Sequence, residues 1–259
     1  MKSSPLPPEF ADPLSHASAR LGRFGRQILF YETVPSTNDI AAALADGGAP
    51  EGAVVLGDAQ SAGRGRLGRT WASPAGAGLY VSIILRPDPD MMLLITIAAG
   101  VALAQGIEAA AGVRPDLKWP NDVLIADRKV AGILAEATPR YVVLGLGINV
   151  LPVAYPPEIA ARATNLERER GRPIDRAHLL VECLGSFAER YADLREGRRD
   201  AVVDAWRQRG AASLNRRVRW SAHGTQAEGI ADDIGADGAL RVRTTEGTVS
   251  VMSGEVTWV

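Results

Sequence analysis

The chain has 259 residues, with 29 Lys plus Arg, 30 Asp plus Glu and 3 His, giving a formal net charge of −1 at neutral pH. That length allows one large domain, or a large and a small one; 46% hydrophobic and 23% charged residues exclude disorder, collagen and coiled coil as the overall class. A near-neutral chain is also poorly suited to non-specific nucleic-acid binding, which runs on neutralising phosphates. One imbalance stands out: Lys2, Lys118 and Lys129 are the only lysines, so 26 of the 29 basic residues are arginine.

Residues 1–27 carry Pro5, Pro7, Pro8 and Pro13 and no apolar core, so they do not read as a secretory signal and are expected as a loose tail. Ile28 to Thr33 reads as a strand. Ser36-Thr37-Asn38 then supplies N-cap chemistry for a helix through Leu44, stopped by Gly47-Gly48. Ala53 to Gly57 is a second strand. A polar, glycine-rich loop over Gln60 to Gly78 leads to a third strand, Leu79 to Leu85, which Arg86-Pro87-Asp88-Pro89 breaks. Met91 to Ala111 is apolar apart from Gln105 and Glu108, yet it contains Gly100 and Gly106 and falls short of ~18 uninterrupted apolar residues, so it is expected as a buried helix and not a membrane span.

From Asp116 to Val150 the runs Val123–Ala126, Val130–Glu136 and Tyr141–Val150 suit adjacent strands of one sheet. Ile174 to Arg195 and Ala201 to Arg209 read as amphipathic helices. Past a boundary near Ala212 the pattern changes. The short runs Val218–Trp220, Ala227–Asp232, Leu240–Thr244 and Thr248–Met252, separated by Gly224, Gly235, Gly238 and Gly247, predict a small β-barrel.

Several chemistries are missing. Cys183 is the single cysteine and sits in an apolar helical stretch, so it reads as a packing residue. His16, His178 and His223 are scattered without metal-ligand spacing. No phosphate-binding GxxxxGK[ST], HExxH or GxSxG motif occurs. The expectation is a cytosolic protein.

The most informative stretch is Gln60-Ser-Ala-Gly63-Arg64-Gly65-Arg66-Leu-Gly68-Arg69-Thr-Trp71. Its glycines match GxGxxG formally, but a dinucleotide turn needs a strand running into the first glycine and a helix leaving the last, and neither is present. Three arginines within six residues with no acid concentrate positive charge, and Trp71 brings a large apolar surface that needs a partner. Forked arginines and a flat aromatic suit an anion attached to a ring, such as a nucleotide or an adenylate. Lys118-Trp119-Pro120-Asn121-Asp122 forms a rigid corner. Its Asn and Asp suit a nucleotide and a hard cation such as Mg²⁺, or equally an Asx turn. Lys129 opens the run Val130 to Glu136, and a lysine kept in an arginine-rich chain points to a need for a compact ammonium. Gly145 and Gly147 permit close approach of a ligand or of another backbone, and Asn149 closes that strand.

In order and spacing, Ser36-Thr37-Asn38, the Gly-Arg loop with Trp71, Lys-Trp-Pro-Asn-Asp122, Arg-Lys-Val-Ala-Gly-Ile-Leu-Ala-Glu136 and Gly-Leu-Gly-Ile-Asn149 resemble the biotin protein ligases. The resemblance implies an α+β fold. A mixed β-sheet flanked by helices, of the class II synthetase-like biotin/lipoate ligase type, would span residues 28–211, and a small SH3-like C-terminal domain residues 212–259. It also implies joining of biotin to one lysine of a biotin carboxyl carrier domain of acetyl-CoA carboxylase or a related carboxylase, through biotinyl-5′-AMP, with ATP and Mg²⁺.

Carried over residue by residue, Ser36, Thr37 and Gln60 hold the ureido ring, with Asn38, Gly63, Gly65 and Gly132 also on the biotin side. Arg64, Arg66 and Lys129 face the biotin carboxylate and the α-phosphate as the catalytic set. Trp71 packs on adenine. Arg66, Arg69, Lys118, Asn121, Asp122 and Asn149 lie on the nucleotide side, with Asp122 as the metal ligand. Attack of a carboxylate on a phosphate brings two anions together, so such a site must spread positive charge around the transition state. The Gly-Arg loop is expected to order when ligand arrives and shield the mixed anhydride from water.

Some members of that family carry an N-terminal helix-turn-helix and repress transcription; the expectation here is a ligase that binds neither DNA nor membrane. A homodimer through a sheet edge near Tyr141–Val150 is a further possibility. Two rivals are a lipoate or octanoate enzyme of the same superfamily, which the Gly-Arg loop and Lys-Trp-Pro-Asn-Asp disfavour, and a non-enzymatic sensor, which the full set of charged groups disfavours.

Overall fold

The protein is described from a computed structural model covering residues 2–153, 155, 157–222, 225–252, 254 and 256–259. Helices α1 (Pro8–His16) and α2 (Ser18–Leu21) precede strand β1 (Ile28–Val34), helix α3 (Thr37–Asp46), and strands β2 (Val54–Gln60) and β3 (Gly78–Leu85). Then come α4 (Met92–Ala111), β4 (Asp116–Lys118), β5 (Asp122–Ile125), β6 (Arg128–Ala137) and β7 (Val142–Asn149). The short α5 (Pro157–Ala160) and α6 (Leu166–Arg170) lead to α7 (Arg176–Arg195) and α8 (Arg199–Gly210). Strands β8 (Arg217–Ala222), β9 (Thr225–Ile234), β10 (Leu240–Thr244), β11 (Gly247–Val251) and β12 (Val256–Trp258) complete the chain.

The first seven strands form a mixed sheet in the order β1-β2-β3-β7-β6-β5-β4, in which only β1 and β2 run parallel. Side chains alternate across a strand, and here each face has its own core. Ile83, Val142 and Leu144 pack with α4 and α7 on one face, whereas Val55, Ile84 and Val143 pack with Ala41 and Ala45 of α3 on the other. Helix α4 is apolar all round because it lies between the sheet and α7. Among the described residues Pro89–Ala111 is long and apolar enough to cross a membrane, and it is mostly buried. A Cβ at Gly106 would stand 2.6 Å from the Cys183 Cα, which shows how closely α4 and α7 approach. Burial pushes the Cys183 thiol pKa up, in keeping with a packing role.

The last five strands form an antiparallel sheet in the order β11-β10-β9-β8-β12. It docks on the larger domain through polar as well as apolar contacts. Trp119 Nε1 donates to Gly238 O at 2.9 Å, and Arg207 of α8 forks onto both carboxylate oxygens of Asp233 at 2.7 Å each.

Two expectations need correction. The segment 1–27 is not a loose tail: α1, α2 and a 3₁₀ turn at Gly22–Gly25 bury Phe10, Leu14, Leu21 and Phe24, and the Phe24 ring packs at a tilt, 5.2 Å from that of Phe187 in α7. The prolines misled because Pro8 sits in the first turn of a helix, where a missing N–H costs nothing. Strand β7 is not a sheet edge, since β3 and β6 pair with it on either side, so it offers no free edge for a dimer. Strand β12 escaped notice because three residues are too few to show a period. The turn expected at Gly224 and the neighbouring His223 lie outside the described residues.

Candidate active site

On β7, Val143 faces α3, so the alternate residues Gly145 and Gly147 face the same side. Across the ladder, Leu134 and Gly132 of β6 pair with them. Three of these four positions carry no side chain, which turns a face that is packed further along the strands into a trough. The start of α3, the end of β2, the Gly-Arg loop and Asn121 wall it into a narrow cleft.

One end of the cleft is neutral and densely hydrogen-bonded. Gln60 Oε1 accepts from the Thr37 N–H at 2.8 Å and from the Thr37 hydroxyl at 3.1 Å, while Gln60 Nε2 donates to Ser73 Oγ at 2.8 Å. Ser82 Oγ lies 2.6 Å from Asn38 Oδ1 and 2.8 Å from Thr37 Oγ1, and its single proton serves one of them at a time. Asn38 Nδ2 donates to Glu136 Oε2 at 2.6 Å. Ser36 occupies the N-cap position of α3 with extended backbone but makes no capping bond, contrary to the N-cap chemistry read from the sequence. Its hydroxyl is left for the cleft, which it lines.

The other end is cationic. Lys129 Nζ lies 2.5 Å from Asp122 Oδ1 and 5.3 Å from the ring centre of Trp71. Arg66 donates to Asn121 Oδ1 and to Gly254 O, each at 3.1 Å, so the loop reaches the smaller domain. The Trp71 indole lies on the glycine floor: a Cβ at Gly147 would stand 2.6 Å from Trp71 Cε2, and one at Gly132 would stand 3.0 Å from Trp71 Cζ3. Trp71 Nε1 is buried with no hydrogen-bond partner among the described residues. A flat ring on bare backbone with an unspent donor is a surface suited to another planar, hydrogen-bonding group.

Of the residues singled out in the sequence, Ser36, Thr37, Asn38, Gln60, Arg64, Gly65, Arg66, Trp71, Asn121, Lys129 and Gly132 line the cleft. Five others do not. Gly63 lies beneath the loop, where a Cβ would stand 2.8 Å from Ser73 Oγ. Asp122 acts through Lys129. Asn149 spends its amide on Thr164 O at 3.0 Å. Arg69 does not reach the cleft from its exposed position beyond the loop turn. Lys118 stands 4.5 Å from the Trp258 ring centre, turned toward the smaller domain by the alternation that sends Leu117 and Trp119 inward. Burial holds its pKa below the usual lysine range; Asp122 opposes the shift, and Arg216, Lys129 and Arg162 add to it.

Arg64 also departs from expectation, since it is not a bare cation awaiting an anion. Asp39 Oδ1 lies 2.7 Å from its Nη1, and Glu136 Oε2 lies 3.1 Å from its Nη2. Burial works against its charge, but hydrogen bonds and charges from these two acids outweigh that and raise its pKa.

Sequence reasoning missed Ile133, Leu134 and Leu146 in the lining, and the supporting Asp39, Ser82 and Glu136. The signal for Glu136 was present: it falls two and four residues beyond Leu134 and Gly132, on the same strand face.

Residues 30–150 match the Biotin/lipoate A/B protein ligase family, and residues 213–257 match the Biotin protein ligase C terminal domain. Among curated relatives, the bifunctional ligase/repressor BirA of Bacillus subtilis is 37% identical over 260 residues, covering 94% of this chain and 78% of its own length. A biotin--[acetyl-CoA-carboxylase] ligase of Mycobacterium tuberculosis is 35% identical, covering 94% of this chain and 95% of its own. Among solved structures, the biotin protein ligase of Aquifex aeolicus in complex with biotin and ATP superposes with a TM-score of 0.81 at 28% identity, over 90% of this chain and 99% of that one.

Proposed function

The chain belongs to the biotin protein ligase family, and on that premise we propose that it activates biotin with ATP as biotinyl-5′-AMP and then transfers biotin to one lysine of a biotin carboxyl carrier domain. The observation that carries this reading is the polarity of the cleft: a neutral end of hydroxyls and amides and a cationic end lie on one glycine floor. The neutral end, with Ser36, Thr37, Asn38 and Gln60, suits a ureido ring, which both donates and accepts hydrogen bonds. The cationic end, with Lys129 and Arg66, suits the carboxylate and the α-phosphate. Trp71 suits adenine.

In the first step a biotin carboxylate oxygen attacks the α-phosphorus, the bond to the β-phosphate oxygen breaks, and pyrophosphate leaves. Lys129 holds its ammonium where two anions must meet and offsets the charge that builds up there. Asp122 pairs with that ammonium until the anions arrive. Among the described residues no group of three His, Cys, Asp or Glu could hold a metal by itself. Mg²⁺ would arrive on the ATP phosphates and neutralise their charge; Asp122 is spent on Lys129 and lies outside the cleft lining, so it does not fit as that ion's ligand. In the second step the acceptor amine attacks the carbonyl carbon of the mixed anhydride, AMP leaves, and the nitrogen gives up a proton as the amide forms. Loop closure over the cleft keeps water from that carbonyl.

The test is incubation with biotin, ATP, Mg²⁺ and a carrier domain, read by streptavidin, alongside ATP–pyrophosphate exchange with biotin, lipoate and octanoate. Biotin-dependent exchange and labelling of the carrier lysine are expected. Exchange driven by lipoate or octanoate, or binding of biotin without transfer, overturns the reading.

A further inference from the structure

Arg64 donates to Asp39 Oδ2 at 2.9 Å through Nη1 and to both oxygens of Glu136, at 3.2 and 3.1 Å, through Nη2. These acids come from different elements, Asp39 from α3 and Glu136 from β6. Glu136 Oε2 also accepts from Asn38, so one carboxylate holds a loop arginine and a cleft amide together. The root of the loop is closed by backbone as well: Trp71 N donates to Gly63 O at 2.9 Å, and Gly65 N to Arg69 O at 2.7 Å. The tip is different. Arg66–Gly68 is a single 3₁₀ turn in which Leu67 has φ of 56° and is 66% exposed, a conformation and an exposure that a leucine gains nothing from.

We propose that Asp39 and Glu136 are positioning residues that clamp Arg64, fixing the root of the Gly-Arg loop over the cleft and orienting Asn38, so that only the exposed Leu67–Gly68 turn moves when ligand enters and leaves. The charge count supports this division. Two carboxylates face one guanidinium, so withdrawing Arg64 to hold a phosphate would leave both acids unscreened beside that phosphate. Like charges at such range repel. Arg64 therefore screens the acids from an anionic ligand and leaves direct contact with phosphate to Lys129 and Arg66. The clamp is a statement about this chain's own side chains; its consequence for an adenylate rests on the ligase reading.

The pairs are partly exposed, with side-chain exposures of 39% for Arg64, 50% for Asp39 and 42% for Glu136, so each is modest and sensitive to salt. Trypsin cuts after an arginine only when that side chain enters the protease, so cleavage after Arg64 reports its release. In the unliganded protein, Asp39→Asn with Glu136→Gln is expected to speed the cut after Arg64 about 3- to 10-fold, the size that two exposed ion pairs support, and to leave the cut after Arg66 unchanged. Glu136→Asp with Asp39→Glu is expected to restore protection. Equal rates of cleavage after Arg64 in wild type and double variant overturn the clamp.

The second readout is the half-life of biotinyl-5′-AMP on the protein, chased with unlabelled biotin. It should shorten in the double variant at a temperature where both proteins remain folded, and 0.5 M salt should shorten it in wild type but not in the double variant (about the same 3- to 10-fold in each case). Unchanged retention in the double variant overturns the proposal. A wild type that forms no adenylate removes the ligase reading instead, and the proteolysis then decides the clamp by itself.

Discussion

Replacing Gly145 by alanine puts a methyl group into the hydrogen-bonded end of the cleft. The new Cβ would overlap Asn38 Oδ1 and stand 3.1 Å from both Cγ and Nδ2 of the same side chain. Asn38 has nowhere inexpensive to go. It is 4% exposed, its Nδ2 is bonded to Glu136, and its Oδ1 lies against Ser82. Displacing it gives up a bond to a carboxylate, about 1.5–3 kcal/mol, and a neutral bond, about 0.5–1.5 kcal/mol. Alanine returns about 0.5–1 kcal/mol by restricting the unfolded chain. The net expectation is a loss of about 2–3 kcal/mol in urea denaturation, with biotin affinity down at least ~10-fold in titration calorimetry because the displaced amide disturbs its own subsite. Gly100→Ala is the matched control. Its Cβ would meet Leu117 Cδ2 at 3.6 Å, an ordinary contact inside α4, so it should stabilise by about 0.5–1 kcal/mol. Wild-type stability and biotin affinity in Gly145→Ala would refute the view that Asn38 is locked. A loss in Gly100→Ala would refute the use of these distances altogether.

Gly106→Ala should destabilise by about 1–3 kcal/mol, since its Cβ would press on the backbone of Cys183 at 2.6 Å and no side chain can yield there; a melting temperature equal to wild type would contradict it. Lys129→Arg should cut ATP–pyrophosphate exchange by ~100-fold or more, because a Cβ at Gly132 would already stand 2.9 Å from Lys129 Cε and a guanidinium is wider than the ammonium it replaces. Lys118→Arg should lose at least ~10-fold less, since arginine also stacks on tryptophan, and equal losses in the two variants would count against their different placement. The pKa values of Glu51 and Asp233 are both held below the usual carboxylate range. Burial opposes this at each, and is outweighed at Glu51 by Tyr191, the Arg86 N–H, Arg23 and Arg195, and at Asp233 by Arg207, the Ile234 backbone and Arg241. The unfolded chain therefore binds more protons, so their contribution is present above about pH 4 and lost as pH falls through the lower folded values. Glu51→Gln and Asp233→Asn should each reduce the drop in urea stability between neutral and acid pH, and an undiminished drop in both would refute the assignment.

The sheet and its large helices could be read from the sequence because they are periodic or continuously apolar over long runs, as in β7 and α4. The N-terminal segment could not. Four buried side chains, Phe10, Leu14, Leu21 and Phe24, are spread among prolines and arginines, and the ring that Phe24 meets, Phe187, lies far along the chain in α7. The same limit applied to the site. Residues that line the cleft sit in recognisable local motifs, so Thr37, Gln60, Arg66, Trp71 and Lys129 can be picked out from the sequence. What holds them comes from other strands: Ser82 reaches Asn38 from β3, and Asp39 and Glu136 converge on Arg64 from α3 and β6. No local spacing encodes a convergence of that kind. Arg64 reads as a bare cation because its neighbours in sequence include no acid, while its neighbours in space include two.

The excess of arginine over lysine acquires a structural meaning from the partners each type keeps. Arginines here fork: Arg20 reaches both oxygens of Glu182 at 2.9 Å, Arg207 reaches both of Asp233, and Arg176 bridges Asp58 and Gly78 O. A planar group with five donors suits such bridges between distant elements, and many of them tie helices to one another or to the sheets. The two lysines of the folded core do something else. Each sets a single point of charge against an indole, Lys129 near Trp71 and Lys118 near Trp258, with Asp122 between them in the β4–β5 register. Only Lys129 opens onto the cleft. A forked cation there would find its second hand already satisfied by Asp122 or pressed against Gly132, whereas an ammonium can turn from the carboxylate to an arriving anion without moving its stem. The scarcity of lysine thus separates two tasks, bracing the fold with forks and leaving one compact charge able to change partners.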